Sequence, residues 1–370
     1  MVAAVDRTAM LRGSLIKGWP GSLCADKMNQ TIGVTKQTMA VTLKDVAELA
    51  GVSRSAVSRT YTEGASVSAK TRDKVQKAAS RLGYSPNALA SSLTTGRTKM
   101  IGLISNNFHN PIFLEVFDLF TRELQERGLR PLLVNLTDEV NPENSVRMLR
   151  QYSVDGVIVA SSTLPLSFAE AFRTAGMPVV HSFGRHTGNP VVNVIGIDNI
   201  AAGRMAARTL MARGYRSLAF LGGPEDATST QDRLAGFEAE LALHADVSLT
   251  VSYASAYSFA AGRTEMLRLL QAERAEAYFC GDDVLSIGAL SAIKTMGLLA
   301  PEDLGILGLN DMEMAGWESI NLTTLHNPLR DIIVASVDQI DGIVKDASRP
   351  TEARLFACYV VERGTLRPLQ

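Results

Sequence analysis

Apolar positions between residues 42 and 82 recur with helical spacing and are interrupted twice. Leu43, Val46, Ala47 and Ala50 fall at i, i+3, i+4 and i+7, the stripe of one buried helix face. Thr42, with Asp45 three residues on, has the form of a capping box, and Gly51 stands where a left-handed residue ends the helix. Ser53 caps a second helix whose inner side takes Val52, Val57 and Tyr61, which leaves Arg54, Ser55, Ser58 and Arg59 facing outward. A third helix follows Val67-Ser68, with Val75, Ala78, Ala79 and Leu82 inside and Gly83 at its end. Beyond it, Ser85 can cap a very short fourth helix with Pro86 at its first position. Three helices around one small core leave the second free to enter a DNA major groove.

The pattern changes at Met100, where short apolar runs begin to alternate with amphipathic ones. Strands are predicted at 101–105, 131–135, 155–160, 178–182, 218–222, 278–282 and 304–309, with helices such as 113–128 and 201–214 between them. Continuous apolar strands separated by helices predict parallel sheets covered on both faces.

Charge sharpens this division. The net charge of −1 conceals +6 over residues 42–99, +3 over residues 1–41 and −10 over the rest. A basic head on an acidic body fits one part that meets phosphates and another that stays off them. Cys24, Cys280 and Cys358 are too few and too scattered for a disulfide framework or a zinc site. Residues 1–40 lack the apolar core of a signal peptide, and no apolar run reaches membrane length. The expectation is a cytoplasmic protein with no membrane partner.

Catalytic chemistry finds no constellation to rest on. His109, His181, His186, His244 and His326 show no metal spacing, and there is no Ser-centred elbow, Walker loop or paired-acid arrangement. Gly222-Gly223-Pro224 after a strand lacks the glycine series of a phosphate loop, so a tight strand-to-helix turn is expected. The expectation is no enzyme, no cofactor and no metal. A secreted solute-binding protein would need an export signal and has no use for a DNA-binding head, and a Rossmann-like enzyme would need a nucleotide fingerprint.

The run Val-Thr-Leu-Lys-Asp-Val-Ala-Glu-Leu-Ala-Gly-Val-Ser at 41–53, Val57-Ser58-Arg59, and Gly-Tyr-Ser-Pro-Asn-Ala-Leu-Ala at 83–90 resemble the DNA-binding head of the lactose-repressor (LacI/GalR) family of bacterial transcription regulators. The resemblance runs from about residue 41 to the C-terminus. It implies a small all-α helix-turn-helix head on an α/β effector domain of two doubly wound lobes, of the periplasmic-binding-protein type. The expected division is a disordered extension at 1–40, or a mis-set start, then a head at 41–84, a hinge helix and linker at 85–98, and an effector and dimerisation domain at 99–370. Three crossings between lobes are expected, near Phe183–Arg185, Asn321–Thr324 and Arg349–Thr351.

The resemblance also implies site residues. Arg54 and Ser55 open the recognition helix and are expected at base edges, Lys44, Ser53 and Ser58 at phosphates, and Arg59 at either. Asn87, Ala90 and Leu93 belong to the hinge, with Leu93 expected to wedge into the minor groove. In the effector cleft, Ser229 and Arg233 of one motif are expected at the ligand, with Arg233 in the gripping position, where a planar guanidinium can hold paired hydroxyls or an acid. Asp283 aligns with the ligand-binding acid. Tyr257 and Phe113 are expected as aromatic walls, and Asn107 as a polar contact. Asp198-Asn199 also matches the family but reads as a helix start, outside the site. Phe183 stands where relatives often carry a polar residue, which weakens any particular sugar assignment. The implied partners are a palindromic double-stranded operator, a second copy of the chain and a small-molecule effector such as a sugar or related polar metabolite. The C-terminus carries no leucine heptad tail, so a dimer rather than a tetramer is expected.

Overall fold

The computed structural model describes residues 41–62, 64–87, 92, 96–136 and 141–369, and the expected extension at 1–40 lies outside them. The chain divides after Asn87 into two compact units.

The first unit is three helices, α1 (Leu43–Ala50), α2 (Arg54–Thr60) and α3 (Ala69–Leu82). The capping box forms as the sequence predicts: the Thr42 hydroxyl accepts from the Asp45 amide at 3.4 Å, and the Asp45 carboxylate accepts from the Thr42 amide at 2.8 Å. Gly51 and Gly83 end α1 and α3 at φ +65°, the left-handed geometry that a side chain would strain. Val46, Ala47, Val57, Val75, Ala78 and Ala79 make the buried core. Tyr61 is a correction. It follows the last turn of α2, 38% exposed against Tyr84, and the buried place falls to Thr60, whose hydroxyl donates to the Ala56 carbonyl at 2.8 Å. Residues 84–87 have no regular structure, and most of the expected hinge helix, including Ala90 and Leu93, lies outside the described residues.

The second unit is two lobes, each on a six-stranded sheet. Lobe one carries β1 (Met100–Ser105), β2 (Arg130–Asn135), β3 (Gly156–Ala160), β4 (Val179–Ser182) and β5 (Asn193–Ile197), interleaved with α4 (Ile112–Glu126), α5 (Pro142–Gln151) and α6 (Leu166–Thr174). Lobe two carries α7 (Asn199–Met211), β6 (Ser217–Gly222), α8 (Thr228–Leu241), β7 (Ser248–Tyr253), α9 (Phe259–Leu269), β8 (Ala277–Cys280), α10 (Asp283–Thr295), β9 (Gly305–Asn310) and β10 (Thr324–His326). Then α11 (Leu329–Lys345) and β11 (Ala353–Phe356) return to lobe one, and β12 (Tyr359–Val361) ends in lobe two. The sheet orders are β11-β5-β4-β3-β1-β2 and β12-β10-β9-β8-β6-β7, parallel throughout except for β12 against β10. In each lobe the order reverses beside the first strand, at β1 and at β6, and loops there diverge to leave a crevice.

The crossings fall at 198–199, 327–328 and 357–358. The first lies well past the expected Phe183–Arg185, because Asn193–Ile197 forms a fifth strand of lobe one that the sequence reading left out. The second and third are also displaced toward the C-terminus, since β10 and β11 are short strands whose apolar runs are too brief to stand out. Helices α7 and α8 pack almost backbone to backbone. A Cβ on Gly203 would lie 2.1 Å from the Arg233 carbonyl oxygen, and one on Gly236 would lie 2.0 Å from that of Ile200.

Candidate functional site

On α2, Arg54, Ser55, Ser58 and Arg59 are all exposed, as the pattern requires of a reading face. Ser53 holds its start: its hydroxyl accepts from the Ala56 amide at 3.2 Å and lies 2.9 Å from that of Ser55. Lys44 on α1 pairs with Glu48 at 3.7 Å, with both side chains about two-thirds exposed. Such a pair contributes little to the fold, so the ammonium is available to a phosphate. Lys70, Lys74, Lys77 and Arg81 extend the basic surface along α3, and Asn87 is exposed beyond it.

In the second unit a cavity opens between the lobes at the strand ends. It is lined by Asn107, Phe113, Arg233 and Tyr257 among the expected residues, and by Asn110, Phe183, Asn199, Asp282, Asn310 and Asn327 among those not expected. Its volume of about 40 Å³ is room for about three water molecules.

Asp282 is the centre of its polar network. The residue caps α10, one carboxylate oxygen accepting from the Val284 amide at 2.8 Å, and the other accepts from the side-chain amides of Asn110 and Asn310 at 2.9 Å each. Asn327 donates to the Asn310 side-chain oxygen at 3.1 Å, and its own Oδ1 is buried without a partner. Burial pushes the Asp282 carboxyl up to about 6, against the opposing pull of its hydrogen bonds and of the Arg233 charge. Arg233, 4% exposed, donates from Nε to the Asn199 side chain at 2.8 Å and from Nη1 to the Gly281 carbonyl. The opposite charges of Arg233 and Asp282 thus share one desolvated site, where each polar contact is strong and each loss is costly.

Tyr257 closes one wall, its hydroxyl 2.7 Å from that of Thr230 and 3.3 Å from that of Ser229. The Gly222-Gly223 turn makes room for it: a Cβ on Gly223 would lie 2.4 Å from the ring.

Two expected residues stand elsewhere. Asp283 does not line the cavity. It is fully buried behind it, accepting from the Met312 amide at 2.8 Å and the Thr324 hydroxyl at 2.6 Å, and burial pushes its carboxyl up to about 7. One residue of helix start turns adjacent side chains to different sides, and Asp282 is the acid that faces the cleft. Ser229 is likewise absent from the lining, bonded instead to Tyr257 and, through its amide, to the Ser162 carbonyl at 3.1 Å. Asp198 starts α7 as expected, accepting from the Ala201 amide at 2.9 Å, but its neighbour Asn199 belongs to the cleft wall. Two of the missed asparagines share a weak signal: Asn310 and Asn327 sit at or just beyond the C-terminal end of a strand. Among the described residues no group of three or more His, Cys, Asp or Glu is placed to hold a metal, and no helix is long and apolar enough to cross a membrane.

A family model described as "Bacterial regulatory proteins, lacI family" matches residues 42–87, and one for a periplasmic binding protein-like domain matches 207–366. The HTH-type transcriptional repressor PurR of Proteus mirabilis (strain HI4320) is 33% identical over 297 residues, 78% of this chain and 85% of its own length. PurR of Vibrio atlanticus (strain LGP32) is 30% identical over 336 residues, 89% of this chain and 99% of its own. Among solved structures, the Lac repressor dimer bound to operator and the anti-inducer ONPF superposes with a TM-score of 0.79 at 26% identity, covering 89% of this chain and all of that one. A complex of the transcriptional regulator CelR with cellobiose superposes at 0.65 and 27% identity, over 88% of this chain and 99% of that one.

Proposed function

We propose, on the premise that this chain belongs to the lacI family of bacterial regulatory proteins, that it represses transcription from a near-palindromic operator under the control of a polar small molecule held in the interlobe cleft. The observation that carries the DNA half is the outward face of α2, where two arginines and two serines stand exposed on a helix fixed at its start by Ser53. Two copies of the head, brought together by dimerisation of the second unit, read two half-sites. Arg54 and Ser55 meet base edges, Lys44, Ser53 and Ser58 meet phosphates, and Arg59 meets either. Asn87, Ala90 and Leu93 follow the head into the minor groove at the centre of the site.

The cleft supplies the control. Arg233 and Asp282 offer fixed donors and a fixed acceptor, Asn107 adds a polar contact, and Phe113 and Tyr257 are the flat walls. That lining suits a sugar or a related polar metabolite. Asp283 and Ser229 act from behind, holding the β9–β10 end and the Tyr257 hydroxyl. Effector binding and operator binding are coupled through one change of lobe angle, so each alters the affinity of the other by the same factor.

Selection of the full-length protein on randomised duplexes tests the reading. An inverted repeat should be enriched, and enrichment should respond to at least one compound in a metabolite panel that raises the melting temperature. A pool that stays random after repeated rounds overturns the regulator reading, and a responsive compound whose effect survives Arg233→Ala overturns the cleft assignment.

A further inference from the structure

Helix α8 begins without a cap of its own. Ala227 stands at the capping position, where no side chain can take an orphan amide, yet a helix start left bare and buried is costly. The missing acceptor comes from the other lobe. The Ser162 carbonyl, in the loop after β3, accepts from the Ser229 amide at 3.1 Å and from the Thr228 hydroxyl at 3.0 Å. One turn further along α8, Asp232 receives Arg185 of lobe one, accepting a hydrogen bond from Nε at 2.9 Å while its other oxygen lies 2.7 Å from Nη2 in the ion pair. The same Nη2 reaches the Thr228 carbonyl and the Gln231 side-chain oxygen, each at 3.0 Å. Four of the first five residues of α8 are therefore tied to lobe one, and the sixth is Arg233.

We propose that the start of α8, Ser162 and Arg185 form a built-in clasp that holds the lobes closed by the protein's own contacts, and that the Arg185–Asp232 pair sets how often the cleft opens. The cavity between the clasped lobes measures about 40 Å³, well below the roughly 300–1,000 Å³ usual for small-molecule sites, as expected of lobes held closed. Opening strips the cap from α8, breaks a bidentate ion pair and releases Asn110 from Asp282, which it reaches across the cleft at 2.9 Å. Ser162 also lines the cavity, but Arg185 and Asp232 do not, so their ion pair places a threshold on the closed-to-open step independent of effector contacts. Its regulatory meaning rests on the effector reading of the cleft, but its existence does not.

Amide hydrogen exchange on the full-length protein, with neither effector nor DNA added, tests it directly. The Ser229 amide reports opening because its acceptor lies in the other lobe, whereas the Ala261 amide, capped within lobe two by Ser258 at 3.2 Å, reports only local or global unfolding. Arg185→Ala and Asp232→Ala should each speed exchange at Ser229 by about fivefold or more and leave Ala261 unchanged, and the double variant should add nothing beyond either single one. Arg185→Lys keeps the charge without the fork and should fall between, which keeps the test available if the alanine variant does not fold. Unchanged exchange at Ser229, or equal acceleration at Ser229 and Ala261, overturns the clasp. Such a failure would leave the effector reading intact, since no effector takes part.

Discussion

The reading face of α2 and the cleft between the lobes are built on opposite principles. The first takes four side chains from six consecutive residues, leaves them exposed and fixes them with a single cap. The second gathers Asn107 and Asn110 from beyond β1, Asp282 from beyond β8, Asn310 and Asn327 from the ends of β9 and β10, and Arg233 from α8, and buries nearly all of them. A surface for DNA can afford loose side chains, because the phosphates bring the charge and the groove imposes the order. A site for a small molecule must have its polar groups already aimed and desolvated, so its geometry is a property of the whole fold. Changes to the outward side chains of α2 should therefore be felt in binding alone, and changes around the cleft in binding and stability together.

The sharpest break of this contrast is Gly236→Val, at a residue that does not itself line the cavity. With Ile200 backbone 2.0 Å from the added carbon, α7 and α8 must part, and the second unit should lose about 3 kcal/mol or more of stability. Amide exchange in α1 and α3 should be unaffected, and a matching loss there would show that the two units do not fold independently. Next, Arg233→Ala and Asp282→Ala should each weaken effector binding by about 2 kcal/mol, more than tenfold by calorimetry, while Asp283→Ala should show itself chiefly in the melting temperature. If Asp283→Ala instead abolished binding with the fold intact, the assignment of roles to the adjacent acids would be reversed.

On the DNA side, Arg54→Ala should cost about 1.5 kcal/mol at one base position per half-site and leave random-sequence binding nearly unchanged in competition titrations. Equal losses on operator and random DNA would remove it from the base edges. Ser53→Ala should cost about 1 kcal/mol of head stability through the lost cap, visible as faster exchange at Ala56.

The smallest effect is one of pH. Burial raises the Asp282 carboxyl to about 6, above its unfolded value, so the ionised group opposes folding near neutrality and this opposition fades as pH falls through 6. His181, buried and lowered to about 4, acts the other way, but alike in parent and variant. Asp283, raised to about 7 by burial and in part by the Asp282 charge, acts in the same direction as Asp282 and more strongly in the parent. The melting temperature of Asp282→Asn relative to the parent should thus fall between about pH 7.5 and about pH 5.5, and a constant difference would show that Asp282 does not titrate there.

The same contrast explains what the sequence could reveal. Thr42, Asp45, Gly51, Ser53 and Gly83 announce the head because each acts on residues within four positions of itself. Arg233, Tyr257 and Phe113 were legible through motif and Asn107 through its place at the end of the first strand, and all four line the cavity. Asp282 was missed in favour of Asp283 because two adjacent acids at a helix start are indistinguishable until the helix fixes which one turns inward. Asn110, Asn199, Asn310 and Asn327 were missed because an isolated asparagine at a strand or helix end reads as a turn, and its partner lies on another element, for Asn110 in the other lobe. The crossings were misplaced for a related reason: β5, β10 and β11 earn their strand geometry from neighbours in the sheet rather than from their own short runs.

Asn199 is the first residue past the first crossing, it opens α7, and it holds the Nε of Arg233. Because Gly203 and Gly236 bring α7 and α8 into backbone contact, no side chain lies between them at that point to take up slack. The two helices therefore form one stiff body that carries the Arg233 guanidinium with it. On the effector reading proposed above, residues elsewhere in the cleft can then change to suit a different molecule without disturbing the mount of that guanidinium.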